Sequence, residues 1–318
     1  MKISKINFFL FLFCFFLISC EKDITVDLPK GEDKLVVEGW IEQGSPAFVI
    51  LTKSAPYFDK TDLASFQNSF VKGATVIVSD GVLNDTLLEF CSNDYTDAEL
   101  MQLAPFIGIS YETLRSVNYC LFTYNYHAAP VIIGEVGKNY TLKIFWNGSV
   151  YTSITQIPYL VPLDSAWFKV EPEEKELGLG YMHAHITDPD SVGNNYNWKA
   201  KRLGKDESFL EPLGASVDDR LINGKSFEFG YDRHREENSD KPDEKEPYQG
   251  FFQVGDTVVI KWSSIDKAHY EFLLTYESSI LSAGNPFASP STIKTNIIGN
   301  ALGVWGGFGV TYDTVYAK

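Results

Sequence analysis

The sequence predicts a mainly β fold of two β-sandwich-like domains, the first of them immunoglobulin-like, with one amphipathic helix packed in the second. Short runs of branched and aromatic residues alternate with turn residues along most of the chain, which is typical of antiparallel sheets. Aromatic residues make up 14% of the chain, and pleated sheet surfaces favour them. A single apolar pattern of helical period, over 265–281, predicts the helix.

The first twenty residues have the organisation of a bacterial lipoprotein signal. Lys2 and Lys5 form a basic start, residues 8–18 are almost wholly apolar, and Ser19-Cys20 looks like the end of a lipobox. We therefore expect residues 1–19 to be removed and Cys20 to carry acyl chains such as palmitate. The apolar run is shorter than the ~18 residues of a spanning helix. The alternatives are an ordinary cleaved secretory signal and an uncleaved anchor.

Residues 20–33 are polar and predict a lipidated tether. Glu21-Lys22-Asp23 resembles the short charged export tags of surface lipoproteins in Bacteroidota, which favours display on the outer face of the outer membrane; the alternative is a generic charged tether. The net charge of -15 disfavours a nucleic-acid partner, because the phosphate backbone is also negative.

The first domain, over 34–158, is predicted from three hairpin patterns. Asp80-Gly81 and Asn147-Gly148 are strong hairpin turn dipeptides, and a Gly/Ser/Pro cluster at 44–46 marks the remaining turn. The predicted strand pairs are 35–41 with 47–52, 74–79 with 86–90, and 140–146 with 150–154.

Cys91 and Cys120 are the two cysteines that remain after the predicted anchor, and in an oxidising compartment they are expected to form a disulfide. The alternative is two separately buried thiols. Residues 92–118 between them predict an insertion, in which the capping-box sequence Thr96-Asp97-Ala98-Glu99 begins a short helix. Its apolar side chains are expected either to cover the sandwich or to bind a partner.

The second domain, over 159–318, begins after the prolines at 158 and 162. Further strand patterns follow, and Asp266 stands at the start of the predicted helix. The glycine-rich run 302–309 is not in a phosphate-binding context, so it predicts close backbone packing.

His183 and His185 alternate on a predicted strand, so both side chains point the same way. Asp188 and Asp190 follow them, and these four residues are weak candidates for a metal site. No second histidine pair supplies further ligands, and the loop that starts at Asp188 lacks the glycine and final acid of an EF-hand. We therefore expect no metal and no cofactor.

Other residues that sometimes carry chemistry favour structural roles here. Trp167, Trp198 and Trp262 are candidates for a ligand site lined by aromatics, or for the core. The adjacent carboxylates Asp218 and Asp219 are expected to be solvated. Because no nucleophile elbow, P-loop or dinucleotide fingerprint is present, we expect no catalytic residues and no enzyme activity.

Several segments together resemble one family, the DUF4249 lipoproteins of Bacteroidota. These segments are the strand Leu35-Val36-Val37-Glu38-Gly39, Asn195-Tyr196-Asn197-Trp198, Asn285-Pro286-Phe287, Thr295-Asn296-Ile297-Ile298-Gly299-Asn300, and the run 302–308. Asn197 separates two aromatics that are often adjacent in the family, and Asn300 stands where many members have glycine. The resemblance implies an outer-membrane lipoprotein, frequently associated with TonB-dependent transporters, with no catalytic residues to transfer.

These observations predict a non-enzymatic, surface-facing outer-membrane lipoprotein. Its expected partner is an outer-membrane β-barrel, on which it acts as a transporter accessory or as a barrel-assembly subunit. The alternatives are a stand-alone lipoprotein that captures a ligand for nutrient uptake and, less favoured, a metal-dependent hydrolase.

Overall fold

The computed structural model describes residues 33–54, 62–107, 109–125, 131–234, 250–282 and 292–318. The predicted signal peptide, Cys20 and most of the predicted tether lie outside these residues. Asp33–Lys318 forms one compact unit. Within the described residues, no helix is long and apolar enough to cross a membrane.

Strands dominate the described residues, which confirms the mainly β class. The strands are β1 (Leu35–Glu42), β2 (Ala47–Lys53), β3 (Thr75–Ser79), β4 (Asn84–Thr86), β5 (Leu88–Cys91), β6 (Cys120–Thr123), β7 (Asn139–Trp146), β8 (Ser149–Gln156), β9 (Ser165–Val170), β10 (Leu179–Thr187), β11 (Asn195–Arg202), β12 (Ser216–Asp218), β13 (Ser226–Tyr231), β14 (Phe252–Gln253), β15 (Thr257–Ile265) and β16 (Leu302–Tyr316). The α-helices are α1 (Leu63–Ser69), α2 (Asp97–Ile107), α3 (Tyr111–Ser116) and α4 (Lys267–Ser282).

The strands of the described residues form three sheets. The largest has the order β12-β11-β15-β16-β1-β2-β6-β5, the second has the order β4-β3-β7-β8, and in the third β10 pairs with β9 on one side and with β13 and β14 on the other. The second and third sheets each pack one face on a separate apolar core beneath the large sheet.

The last strand joins the two halves of the chain. β16 pairs in parallel with β1 and antiparallel with β15, so it lies in the middle of the eight-stranded sheet. The expected boundary near residue 158 therefore does not separate two independent sheets, although each half has its own apolar core. The reason is that the chain returns at its end to complete the sheet that β1 begins.

The glycines of β16 let the end of β8 and the segment after it pack closely on the face of this strand. A Cβ at Gly307 would lie 2.4 Å from the carbonyl oxygen of Gln156, and a Cβ at Gly309 would lie 2.6 Å from that of Pro158. The prediction of close backbone packing over 302–309 is thus confirmed.

The helices cover one face of the large sheet. Cys91 and Cys120 lie opposite each other on β5 and β6 and form a disulfide, which closes the loop that carries α2 and α3. Leu100 and Leu114 of these helices pack on Phe48 in one apolar cluster, so the insertion covers the sheet. Helix α4 packs beside it, on Phe308 and Val310.

One predicted strand pairing is wrong. β3 pairs with β4, whereas β5 joins β6 in the large sheet, because the chain crosses between sheets at the buried Leu87. The other two predicted hairpins are confirmed as β1–β2 and β7–β8. Asn147 and Gly148 have φ angles of 48° and 74°, as a primed two-residue turn requires.

Candidate functional site

The predicted histidine pair lies on the solvent side of the third sheet. Met182, Ala184 and Ile186 of β10 belong to the core. The alternate residues His183 and His185 therefore point outward together, as the two-residue period of a strand requires. We call this surface the histidine face; it consists of Asp164, Trp167, His183, His185, Thr187, Ser226, Glu228 and Gly230.

Each histidine of this face has a carboxylate neighbour. Nδ1 of His183 lies 3.5 Å from Oε1 of Glu228, and the His183 ring stacks against Trp167 with a centroid distance of 5.9 Å. Nδ1 of His185 lies 3.1 Å from Oδ2 of Asp164. The face thus combines stacked rings with carboxylates that remain partly exposed.

The two aspartates proposed with the histidines are not part of this face. Asp188 is 1% exposed, and it accepts hydrogen bonds from the Tyr196 hydroxyl and, at 3.3 Å, from the Gly224 backbone N–H. Burial, and then the hydrogen bond to Asp188, raise the pKa of Tyr196. Asp190 is exposed on the following loop. The described residues contain no group of three or more His, Cys, Asp or Glu side chains placed to hold a metal ion.

The three candidate tryptophans divide between core and surface. Trp198 and Trp262 are 0% and 1% exposed and pack edge to face in the second core. Trp167 lies on β9, on the histidine face, and is partly exposed. Only Trp167 of the three is therefore placed to contact a ligand.

Asp219 differs from the expectation that it is solvated. Its side chain is 2% exposed, and Oδ2 accepts the backbone N–H groups of Gly193 and Asn194 at 2.6 and 2.8 Å. This carboxylate therefore stabilises the loop between β10 and β11 and has a structural role.

A second exposed surface was not predicted. The outer side of the β4-β3-β7-β8 sheet and the segment beside β8 carry four well-exposed apolar side chains, Phe145, Val150, Ile154 and Ile298, which are 37%, 47%, 66% and 72% exposed. Phe145 lies opposite Val150, and Ile298 bridges to Thr152, which stands between Val150 and Ile154 on β8. These four side chains therefore form one surface, which we call the apolar face.

The sequence contained a signal for this surface. Tyr151 of β8 points into the core, so Val150 must point outward, and the alternation places Ile154 on the same side. A strand with apolar residues on both sides predicts a second contact surface. The contribution of Ile298 depends on a distant segment and could not be inferred.

A charged cluster lies on the helix-covered face of the large sheet. Nζ of Lys199 lies 2.9 Å from Oε2 of Glu211, and Lys261 forms an ion pair with Glu42. Burial alone would lower the pKa of Lys199, but the carboxylates of Glu211, Glu38 and Glu42 raise it. Burial raises the pKa of Glu38, and Lys199 partly offsets this effect. These charges mostly compensate one another within the protein.

A family model, described as a domain of unknown function (DUF4249), matches residues 21–314. The chain belongs to the DUF4249 family. No curated protein matches the chain. Every residue of the histidine face and of the apolar face lies within the region that matches DUF4249.

Proposed function

We propose that this DUF4249 chain is a non-enzymatic lipoprotein of the outer membrane that docks on an outer-membrane β-barrel. It is anchored through Cys20, faces the cell surface, and serves a TonB-dependent transporter or a barrel-assembly complex. The single observation that carries the docking role is the apolar face. Contiguous apolar side chains on the surface of a folded protein mark sites of protein or membrane interaction.

The position of the apolar face suits a protein partner. Its side chains project from the paired strands β7 and β8, whose backbone is fixed by the sheet, so docking orders little additional chain. Lys143 lies on the same side of the sheet, with Nζ 5.1 Å from the Phe145 ring centroid. An apolar centre with a polar neighbour is the usual arrangement of a protein interface.

The predicted anchor supports the same proposal. A tether of residues 20–33 extends at most about 50 Å, which keeps the folded unit close to proteins in the same membrane. Confinement of this kind raises the effective concentration of a partner, so a modest interface is sufficient for stable association.

Co-purification tests the docking role. A tagged, full-length chain is extracted from native membranes in mild detergent, and associated proteins are identified and quantified by mass spectrometry. We expect one β-barrel in near-equal amount, and we expect I154K/I298K to reduce its recovery at least tenfold, because two ammonium groups are then desolvated at the interface.

The control for this experiment is V192K/L221K, which places the same charges at side chains that are each 85% exposed but lie outside the apolar face. This control should retain the barrel. If the wild-type chain recovers no barrel, or if both double variants lose it equally, the docking proposal is wrong.

The anchor is tested separately through Cys20. Substitution C20A removes the lipidation site and the cysteine of the lipobox, so we expect the variant to lose palmitate labelling and to retain residues 1–19, which mass spectrometry of the intact chain detects. Continued palmitate labelling of C20A would contradict lipidation at this residue.

A further inference from the structure

The middle of the histidine face holds two stacked rings, of which the Trp167 indole is partly exposed and the His183 side chain is 16% exposed. The Trp167 and His183 rings lie 24° from parallel. On the other side of His183, Gly230 occupies the directly paired position on β13, and a Cβ there would lie 3.0 to 3.1 Å from three atoms of the imidazole. The imidazole therefore lies over Gly230, and the absence of a side chain at this position makes room for it.

Hydrogen-bonding groups border this ring surface on one side. Oδ2 of Asp164 accepts the Thr187 hydroxyl at 2.8 Å, and the Thr187 and Ser226 hydroxyls lie 2.9 Å apart. The side chains of Asp164, His185 and Glu228 remain 46%, 38% and 56% exposed, so each retains contact with solvent. Hydrogen-bond acceptors and donors thus lie together beside the Trp167 and His183 rings.

This combination matches the chemistry of a sugar ring. A pyranose presents C–H groups on its faces, which pack on aromatic rings, and hydroxyls around its edge, which donate to carboxylates and accept from hydroxyls and imidazole. Aromatic rings supply a large apolar contact, and hydrogen bonds from hydroxyls to carboxylates are among the stronger ones. A purely apolar ligand would leave these polar groups desolvated and unpaired.

The charge of the face selects among sugars. The carboxylates Asp164 and Glu228 outnumber Lys169, an exposed cation on the same side of β9, and the chain has a net charge of -15, so phosphate groups, uronic acids and nucleic acids are disfavoured. We propose that the histidine face binds a neutral carbohydrate, with the Trp167 indole stacked on a sugar ring, with His183 packed against that indole, and with Asp164 and Glu228 accepting the sugar hydroxyls. This site is separate from the apolar face and does not depend on the docking role.

The proposal is tested with the detergent-solubilised, full-length protein. Affinity electrophoresis is run in gels that contain starch, galactomannan, mixed-linkage β-glucan or xylan, with polygalacturonate and heparin as acidic probes. We expect retardation by at least one neutral polysaccharide and by neither acidic one. Calorimetry with an oligosaccharide of the retarding polymer then gives Kd, and we expect W167A to raise it at least tenfold.

Two further variants make the result specific to this surface. G230V fills the space under the His183 ring while Trp167 is kept, and it should also weaken binding at least tenfold. Y316A removes an aromatic side chain that is 60% exposed elsewhere, and it should leave Kd unchanged. Thermal unfolding checks that each variant is folded. If W167A does not fold, the Kd of G230V tests the proposal.

The outcomes separate clearly. The proposal is overturned if no neutral polysaccharide retards the protein, if an acidic one binds as well, or if folded W167A and G230V bind as tightly as the wild type. None of these results affects the co-purification test of the apolar face.

Discussion

At the scale of single residues, the contact of Gly306 with His269 fixes the start of helix α4. A Cβ at Gly306 would lie 2.0 Å from Nδ1 of His269, which is 9% exposed and packs edge to face on Phe308. We expect G306A to lower the free energy of unfolding by about 1–3 kcal/mol, as overpacking of a core does.

Urea denaturation measures this effect, and a double-mutant cycle assigns it. Because H269A removes the ring that the new methyl group meets, G306A should cost much less in the H269A background than in the wild type. If G306A lowers the free energy of unfolding equally in both backgrounds, the strain does not arise from contact with His269.

The same histidine predicts a pH dependence of stability. Burial, and then the charge of Lys199, lower the pKa of His269 to about 3, against 6.5 for an unperturbed histidine. As the pH falls from about 6.5 towards 3, the unfolded chain gains a proton that the folded chain does not bind, so this contribution to stability is lost by about 1.4 kcal/mol per pH unit.

Comparison with H269Q isolates the contribution of His269 to the pH dependence of stability. Burial raises the pKa of Asp266, so that carboxyl binds a proton more readily when folded and shifts stability in the opposite direction on acidification. The wild-type stability minus the H269Q stability, from urea denaturation between pH 7 and pH 4.5, should therefore decline below about pH 6.5. A constant difference would show that His269 titrates normally in the folded protein.

At the scale of elements, the disulfide stabilises the helical insertion. Cys91 and Cys120 are 29 residues apart, and closing a loop of this length is worth about 3–4 kcal/mol by chain entropy. We expect C91A/C120A to lose about this much in urea denaturation and to exchange the amide protons of α2 and α3 faster than those of β16. Exchange that accelerates equally in all three elements would mean that the insertion does not open by itself.

Elements defined by local signals were predictable from the sequence. The β7–β8 hairpin depends on Asn147-Gly148, which alone determine the turn and the register. The helix predicted at 265–281 begins where Asp266 accepts the backbone N–H of His269 at 2.7 Å. The β3–β4 hairpin was predicted with the wrong partner, because the sequence does not show that Leu87 passes from one sheet to another.

At the scale of the whole molecule, the features that the sequence did not predict are those that depend on pairing between distant strands. The alternation of His183 and His185 was sufficient to place them on one face, but their neighbours Trp167, Glu228 and Gly230 come from two other strands. Likewise, the parallel pairing of β1 with β16 joins opposite ends of the chain, and no local pattern specifies it. The composition of both candidate faces therefore depends on sheet topology.

The central position of β16 makes the folding of the two halves interdependent. Trp305 is 0% exposed in the first core, where its Nε1–H donates to the Tyr140 carbonyl at 3.0 Å, while Val315 of the same strand belongs to the second core. A fragment of residues 34–158 lacks Trp305, and loss of a buried tryptophan side chain alone costs about 3–5 kcal/mol. It also leaves β1 without its partner at one edge.

We therefore expect fragments 34–158 and 33–318 to behave differently, although the sequence alone predicted a domain boundary at the end of the shorter one. The longer fragment should unfold in one cooperative transition in urea, and the shorter one should show no transition and a narrow range of amide proton shifts. Appending 292–318 to the shorter fragment through a glycine-serine linker restores Trp305 and the partner of β1, so it should recover cooperative unfolding. A cooperative transition of 34–158 alone would show that the first half folds without the strand that completes its sheet.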